Sequence, residues 1–201
     1  MSRPGPPLPV KPVVSIILAR QDLGPAVVER LSHYWGPPDL VGPWWPFTAT
    51  DYYTPEMGPG LGRLLVAFLH LADPAQLAQW KVFTNGIEER LSLGGRRLVN
   101  LDPGYLSRER LVLATGKNFS HRLYLGCGIY GDLTLIYARG TFQPLAWTYP
   151  DYARGPLPEL LLLVRKKYLW QLKLMVADDQ EHDRIWPGGG RGSQPEVGGG
   201  I

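Results

Sequence analysis

Apolar residues follow two rhythms along this chain, and the changes of rhythm mark its elements. Val13 to Ala19 is a short apolar run rich in β-branched side chains, which predicts a buried strand. After turn residues from Gln21 to Pro25, Val27, Val28, Leu31, Tyr34 and Trp35 recur at helical spacing, with Glu29, Arg30 and Ser32 between them. Gly36-Pro37-Pro38 stops that helix, because proline cannot continue the hydrogen-bond ladder. Leu40 to Tyr53 favours β structure but carries Pro43 and Pro46, so it reads as an irregular or edge strand. Thr54 to Gly62, rich in Gly and Pro, reads as a loop, and Arg63 to Leu71 as a second clear strand. Asp73-Pro74-Ala75-Gln76 is a helix start: Asp73 can cap, Pro74 suits the first helical position and Gln76 completes a capping box. Leu77, Trp80, Thr84, Ile87 and Leu91 then step by three and four, and Gly94-Gly95 is expected to end the helix. A strand resumes from Arg97 to Leu101.

The order β-α-β-β-α-β predicts a ferredoxin-like split βαβ core. Beyond it, Asp102-Pro103-Gly104-Tyr105 reads as a turn by composition, and Leu111 to Thr115 as a short helix or strand. Arg122 to Tyr124 and Tyr130 to Tyr137 read as strands, with Arg139-Gly140 turning into Thr141 to Leu145 to close a hairpin. Trp147 to Gly155 is irregular, and Leu157 to Met175 is a last helix with Leu160, Leu161, Val164, Tyr168, Leu172 and Met175 as its apolar stripe. The fold class expected is α+β: a ferredoxin-like βαββαβ core extended by a C-terminal β-hairpin and a final helix. Residues 1–11 are expected to be a disordered N-terminal segment, 12–176 a single α+β domain, and 177–201 a disordered Gly/Pro-rich tail.

Composition narrows the classes. An apolar share of 44% against 19% charged residues supports a packed domain and excludes a disordered chain. A net charge of +3 over 201 residues is too small for the concentrated basic face of a nucleic-acid binder. The single cysteine, Cys127, excludes a disulfide framework and reads as a buried, inert thiol. No segment reaches the about 18–20 apolar residues that cross a bilayer, and Met1 to Pro12 lacks a signal core, so a cytoplasmic location without a membrane partner is expected.

Most chemical motifs fail. Gly58-Pro59-Gly60-Leu61-Gly62-Arg63 lacks the lysine and hydroxyl of a phosphate loop, and Gly126-Cys127-Gly128 lacks the third glycine and following helix of a dinucleotide fingerprint. His33, His70, His121 and His182 form no paired metal-ligand spacing, so no metal site is predicted. Three polar clusters remain in otherwise apolar, aromatic segments. Thr50-Asp51-Tyr52-Tyr53 with Glu56 is the first. The second holds Arg96, Arg97, Asn100, Asp102 and Tyr105. Lys117, His121 and Arg122 with Asp132 form the third, and Asp151 can join them. Arg97, Lys117, Arg122, Tyr105 and Asp151 are candidate ligand-binding groups, because cations placed together hold phosphate or carboxylate by charge-assisted bonds. His121, Asp102, Asp51 and Glu56 are candidate acids and bases. The competing reading is that these groups are structural ion pairs capped by tyrosines.

On these same residues the chain resembles a family of uncharacterised bacterial and archaeal proteins. The matching stretches include Thr50-Asp51-Tyr52-Tyr53, Val99-Asn100-Leu101-Asp102-Pro103-Gly104-Tyr105, His121-Arg122-Leu123-Tyr124-Leu125-Gly126 and Trp147-Thr148-Tyr149-Pro150-Asp151-Tyr152. Members are often labelled GTP-binding proteins. The residues here do not carry that label, since a phosphate loop and an N-K-x-D motif are both missing and Thr115-Gly116-Lys117-Asn118 is no substitute.

The expected function is binding, or acting on, a phosphorylated or otherwise anionic small molecule or nucleotide. Enzyme or binding protein is left open, and no cofactor is assigned. The alternative is a non-catalytic interaction module that uses Trp44-Trp45-Pro46-Phe47 as its contact strip, if that strip is exposed.

Overall fold

The computed structural model describes residues 3–185; the expected disordered tail falls, from residue 186 on, outside the described residues. Two compact units divide the chain, Met1–Tyr168 and Leu169–Ile201. In the second unit, the described residues continue the last helix.

The elements of the first unit run β1 (Lys11–Leu18), α1 (Gly24–Trp35), β2 (Pro38–Val41), β3 (Trp45–Pro46), α2 (Thr54–Met57), β4 (Gly62–Phe68), α3 (Leu77–Arg90), β5 (Ser92–Leu93), β6 (Arg96–Arg97), β7 (Val99–Leu106), β8 (Arg110–Thr115), β9 (Arg122–Gly126), β10 (Ile129–Ala138), β11 (Thr141–Pro144) and α4 (Pro150–Ala153), ending in the start of α5 (Leu157–Ile185). Nine of the strands form one sheet in the order β11-β10-β8-β7-β1-β4-β2, with β3 beside β4 and β9 beside β10. All its pairings are antiparallel. The molecule is therefore a mixed α and β fold on one large antiparallel sheet, wider than the expected core plus hairpin.

Period-two alternation sorts the central strands into two faces. Val14 and Ile16 of β1 stand beside Val66 and Leu64 of β4 and Pro103 and Leu101 of β7. These side chains meet Val27, Leu31 and Trp35 of α1 and Leu77, Trp80 and Ile87 of α3 in the main core. Trp80 is completely buried, with Trp35 edge-on at 5.8 Å. Helix α5 is tied down by Tyr168, which donates to Pro9 O at 2.8 Å, and by Arg165, which donates to Arg108 O at 3.0 Å.

Several local expectations change. Asp73 caps as expected, its Oδ1 accepting the Ala75 N–H at 2.8 Å. Helix α3 ends at Arg90, however, and Gly94-Gly95 is instead the positive-φ turn of the β5–β6 hairpin. Asp102 to Tyr105 is strand, not turn, and lies inside β7. The Pro-Gly pair misleads because it serves packing: a Cβ on Gly104 would lie 2.4 Å from Val112 O of β8. Leu111 to Thr115 resolves to strand β8. The loop at Thr54 and the irregular stretch at Pro150 each contain one helical turn, α2 and α4. Helix α5 continues past Met175 to Ile185. The Arg139-Gly140 hairpin forms as expected, with φ of 53° and 84° at the two turn residues.

Candidate functional site

The strand register assembles a polar patch on the sheet face opposite α1 and α3. Ser15 is the one polar residue between Val13 and Ala19, and it lies between Leu65 of β4 and Asp102 of β7. Ile17, two residues on, lies between Arg63 and Asn100. Directly opposed residues share a face, so Arg63, Ser15, Asn100 and Asp102 emerge together. Asn100 donates to Asp102 Oδ2 at 2.7 Å. The one-turn helices supply the rest. Asp151 of α4 pairs with Arg63, whose guanidinium lies 4.9 Å from the ring centres of both Phe47 and Tyr152. The Arg97 guanidinium lies 5.9 Å from the ring of Tyr53, which precedes α2.

A gap in the sheet explains the neighbouring charges. Strand β8 pairs with β7 only from Gly104 onward, so the β7 edge at Leu101 has no strand beside it. Side chains of α3 complete it. Glu88 Oε1 accepts the Leu101 N–H at 2.7 Å, and Lys81 Nζ donates to Leu101 O at 2.6 Å. Lys81 also lies 3.3 Å from Glu88 Oε1 and 3.7 Å from Asp102 Oδ1. Arg97 donates to Glu88 Oε2 at 2.8 Å, Asn100 Oδ1 at 3.0 Å and Glu56 Oε2 at 2.8 Å. Burial works against the charge on Arg97, but its hydrogen bond to Glu88 and the charges of the Glu88 and Glu56 carboxylates outweigh it and raise its pKa.

Hydrogen-bond donors collect on this patch. Burial raises the pKa of Tyr53 above its ordinary 10.0, helped by the Asp102 charge and opposed by Arg63 and Arg97. Burial likewise raises Tyr152, with Arg63 pulling the other way and Asp102 and Asp151 adding to the rise. Both phenols therefore stay neutral and keep their O–H protons. Four buried polar atoms on or beside the patch complete no hydrogen bond by geometry: Ser15 Oγ, Arg63 Nε, Arg97 Nε and the Tyr152 hydroxyl. The Ser15 hydroxyl is nonetheless close enough to Tyr152 to draw its pKa down slightly. An open groove of about 480 Å³ adjoins the patch through Phe47, and Trp44, Thr50, Asp51, Thr54 and Leu61 also line it.

The third predicted cluster forms its own arrangement. His121 Nε2 lies 3.3 Å from Asp132 Oδ2, and its ring stacks on Trp147 at 4.8 Å. Arg122 donates through Nε to Asp132 Oδ2 at 2.9 Å and through Nη1 to Lys117 O at 2.9 Å. Burial opposes the Arg122 charge, while Asp132 and Tyr149 more than restore it. Lys117 donates to the Tyr52 hydroxyl and sits 4.5 Å from that ring. Tyr52, next to Tyr53, and Tyr149, near Asp151, tie this cluster to the patch along the chain.

Of the predicted residues, Asp102, Arg97, Glu56 and Asp151 thus join one patch. His121, Arg122 and Lys117 gather around Asp132 or Tyr52. Asp51 lines the groove. Tyr105 is not brought to them: it packs against the main core, and burial raises its pKa. The residues that sequence reasoning left out are Ser15, Arg63, Lys81 and Glu88, while Tyr53 and Tyr152 stood in the quoted stretches without a role of their own. Their signal was a lone serine in an apolar strand and the alternation Asn100-x-Asp102. One other expectation is corrected. Cys127 is exposed, at the positive-φ tip of the β9–β10 hairpin, because a two-residue turn cannot bury it. In the Trp44 to Phe47 strip Phe47 is buried and Trp44 packs against the main core, while Pro46 is exposed.

Among the described residues, no three His, Cys, Asp or Glu side chains are placed to hold a metal ion, and no helix is long and apolar enough to cross a membrane. No curated protein and no solved structure matches the chain. The sequence model of one family covers residues 8–168, which takes in β1 to α4 and every side chain of the patch. The chain belongs to the family described as a domain of unknown function, DUF4416.

Proposed function

We propose that the chain binds a small anionic molecule, bearing phosphate or carboxylate, at the polar patch of the sheet, with the adjoining groove holding the remainder of the ligand. The observation that carries this reading is the gathering of buried donors without a completed partner, on Ser15, Arg63, Arg97 and Tyr152. Trp35, Trp44, Trp80 and Asp39 carry such atoms elsewhere, so it is the clustering of four on one patch that favours a guest to satisfy them. Hydroxyl and guanidinium donors are complementary to an oxyanion. The neutral phenols of Tyr53 and Tyr152 favour the same guest, since they donate without adding negative charge. A groove of about 480 Å³ falls within the roughly 300–1,000 Å³ of small-molecule sites.

In this reading Arg63 and Arg97 bind the anion, and Asp102 orients them or accepts a proton from the ligand. The His121–Asp132 pair lies outside the anion-binding set, as a flanking acid–base group. A nucleotide is one candidate; its phosphates would be held by side chains and not by a phosphate loop. The order β7-β1-β4-β2, with α1 and α3 on one face, supports reading the central strands as a ferredoxin-like unit.

Thermal melting tests the reading. Inorganic phosphate, GTP and citrate are added in turn to the wild-type chain and to a Ser15→Ala/Tyr152→Phe double variant. At least one anion is expected to raise the wild-type Tm and to lose that effect in the double variant. No shift with any of them, or a shift that survives in the double variant, contradicts it.

A further inference from the structure

Building on the anion reading of the patch, we infer that Asp151 is the resident occupant of the site and that α4 is a strap which a bound anion unlatches from Arg63. Access to the patch is restricted. Ser15 is 1% and Arg63 2% exposed. An anion reaches them only when something that covers them moves, and two of the side chains around them, Asp151 and Tyr152, belong to α4.

Asp151 already makes the contact that a ligand would make. Its carboxylate accepts from Arg63 Nη1, a charge-assisted bond of the kind that holds a phosphate or carboxylate. Among the described residues no other carboxylate pairs with Arg63. The rings of Phe47 and Tyr152, each 4.9 Å from the guanidinium, take up much of the remaining space. An entering anion therefore competes with Asp151 for one guanidinium, and repulsion between like charges keeps the two from sharing it.

α4 hangs between two fixed points. Before it, Trp147 donates through Nε1 to Leu133 O at 2.8 Å and Thr148 through Oγ1 to Thr134 O at 2.6 Å, both on β10. After it, Leu157 opens α5 completely buried. Between these points, among the described residues, no backbone hydrogen bond joins residues 149–156 to the sheet; the bonds there are local, such as Tyr152 N–H to Tyr149 O at 2.9 Å. Side chains hold α4 in place: Asp151 on Arg63, Tyr152 beside Ser15, and Tyr149, whose hydroxyl supports the Arg122 charge. Gly155, at φ 72°, gives the far end a joint that other residues rarely adopt. A short segment without backbone ties to its surroundings opens at low cost. Taking Arg63 from Asp151 removes one of the three holds, so α4 opens more often when the anion is bound. In the free chain the closed strap weakens binding by the fraction of time it is open, about tenfold for a strap open about one-tenth of the time.

Limited trypsin digestion combined with phosphate calorimetry tests this. Arg154, exposed just after α4, reports opening of the strap; Arg139, exposed at the β10–β11 turn, is the internal reference. Inorganic phosphate is expected to speed cleavage after Arg154 several-fold in the wild-type chain, relative to Arg139. Asp151→Asn should be cut faster after Arg154 without phosphate and should bind phosphate about tenfold tighter or more. Removing a negative charge tightens phosphate by itself, so the wild-type digestion, which needs no variant to fold, decides. Phosphate that binds but leaves Arg154 cleavage unchanged or slows it overturns the strap and leaves the anion site standing. So does an Asp151→Asn variant with wild-type affinity. Phosphate that binds neither the wild-type chain nor the variant overturns the strap and the anion reading together.

Discussion

Glu88 of α3 accepts the backbone N–H of Leu101 at 2.7 Å, filling with a side chain the place where a neighbouring strand would otherwise bond β7. The same carboxylate meets Lys81 at 3.3 Å and Arg97 at 2.8 Å. One buried acid thereby closes the sheet gap and positions the arginine that borders the candidate site. Removing one partner from such a network leaves uncompensated charge and an unsatisfied amide, which costs about 3–5 kcal/mol. Urea unfolding of Glu88→Ala is expected to show a loss of that order, and Glu88→Gln a smaller one because it still accepts from Leu101. Equal and minor losses in both variants would show that the network contributes little.

Gly104 tests the packing of β7 on β8. An added Cβ would lie 2.4 Å from Val112 O and 2.6 Å from Leu113 Cδ2, closer than either contact allows. Gly104→Ala is expected to lower stability by roughly 1–3 kcal/mol through overpacking. Gly86→Ala, on α3 where an added Cβ meets nothing within 4 Å, serves as the control and should not destabilise. The comparison is read from the two unfolding midpoints.

Alkaline pH tests the buried phenols. Burial raises the pKa of Tyr53 and Tyr152 in the folded chain above the ordinary 10.0 of the unfolded one. Below pH 10 both states hold these protons. Above it the unfolded state releases them first, so it binds fewer protons than the folded state and stability falls as pH rises. Absorbance at about 295 nm, which reports phenolate formation, should show Tyr53 and Tyr152 among the tyrosines that ionise only as the chain unfolds. Tyr53→Phe and Tyr152→Phe should each flatten the alkaline loss of stability. Free ionisation of all tyrosines near pH 10 in folded protein would contradict their burial.

The strands and helices with a single clear period were legible in the sequence. β1, α1, β4 and α3 each carry one clear apolar pattern, although β1, β4 and α3 also bury polar residues, among them Ser15, Arg63, Lys81 and Glu88, that the pattern does not place. Legibility failed where a residue's local preference served a distant contact. Pro103-Gly104 has turn chemistry, yet glycine is there to let β8 approach. Gly94-Gly95 has the chemistry of a helix stop, yet it turns a hairpin beyond a helix that has already ended.

The candidate site was legible in part, for the same reason. Asp102, Arg97, Glu56 and Asp151 announce themselves as charges in apolar surroundings, and the structure brings them to one patch. Ser15 and Arg63 do not, because a single polar residue in a strand acquires meaning only through the register that sets Ser15 beside Asp102 and Arg63 in line with Asn100. Tyr105 sits three residues from Asp102 and points to the other side of the sheet, which a turn at that place would have hidden.

The most direct test of the anion site is a crystal structure of the chain grown with inorganic phosphate. The account predicts a phosphate bonded to the Arg63 or Arg97 guanidinium and to the hydroxyl of Ser15 or Tyr152. Water alone completing the bonds of those four groups, or phosphate bound only elsewhere on the surface, would contradict it.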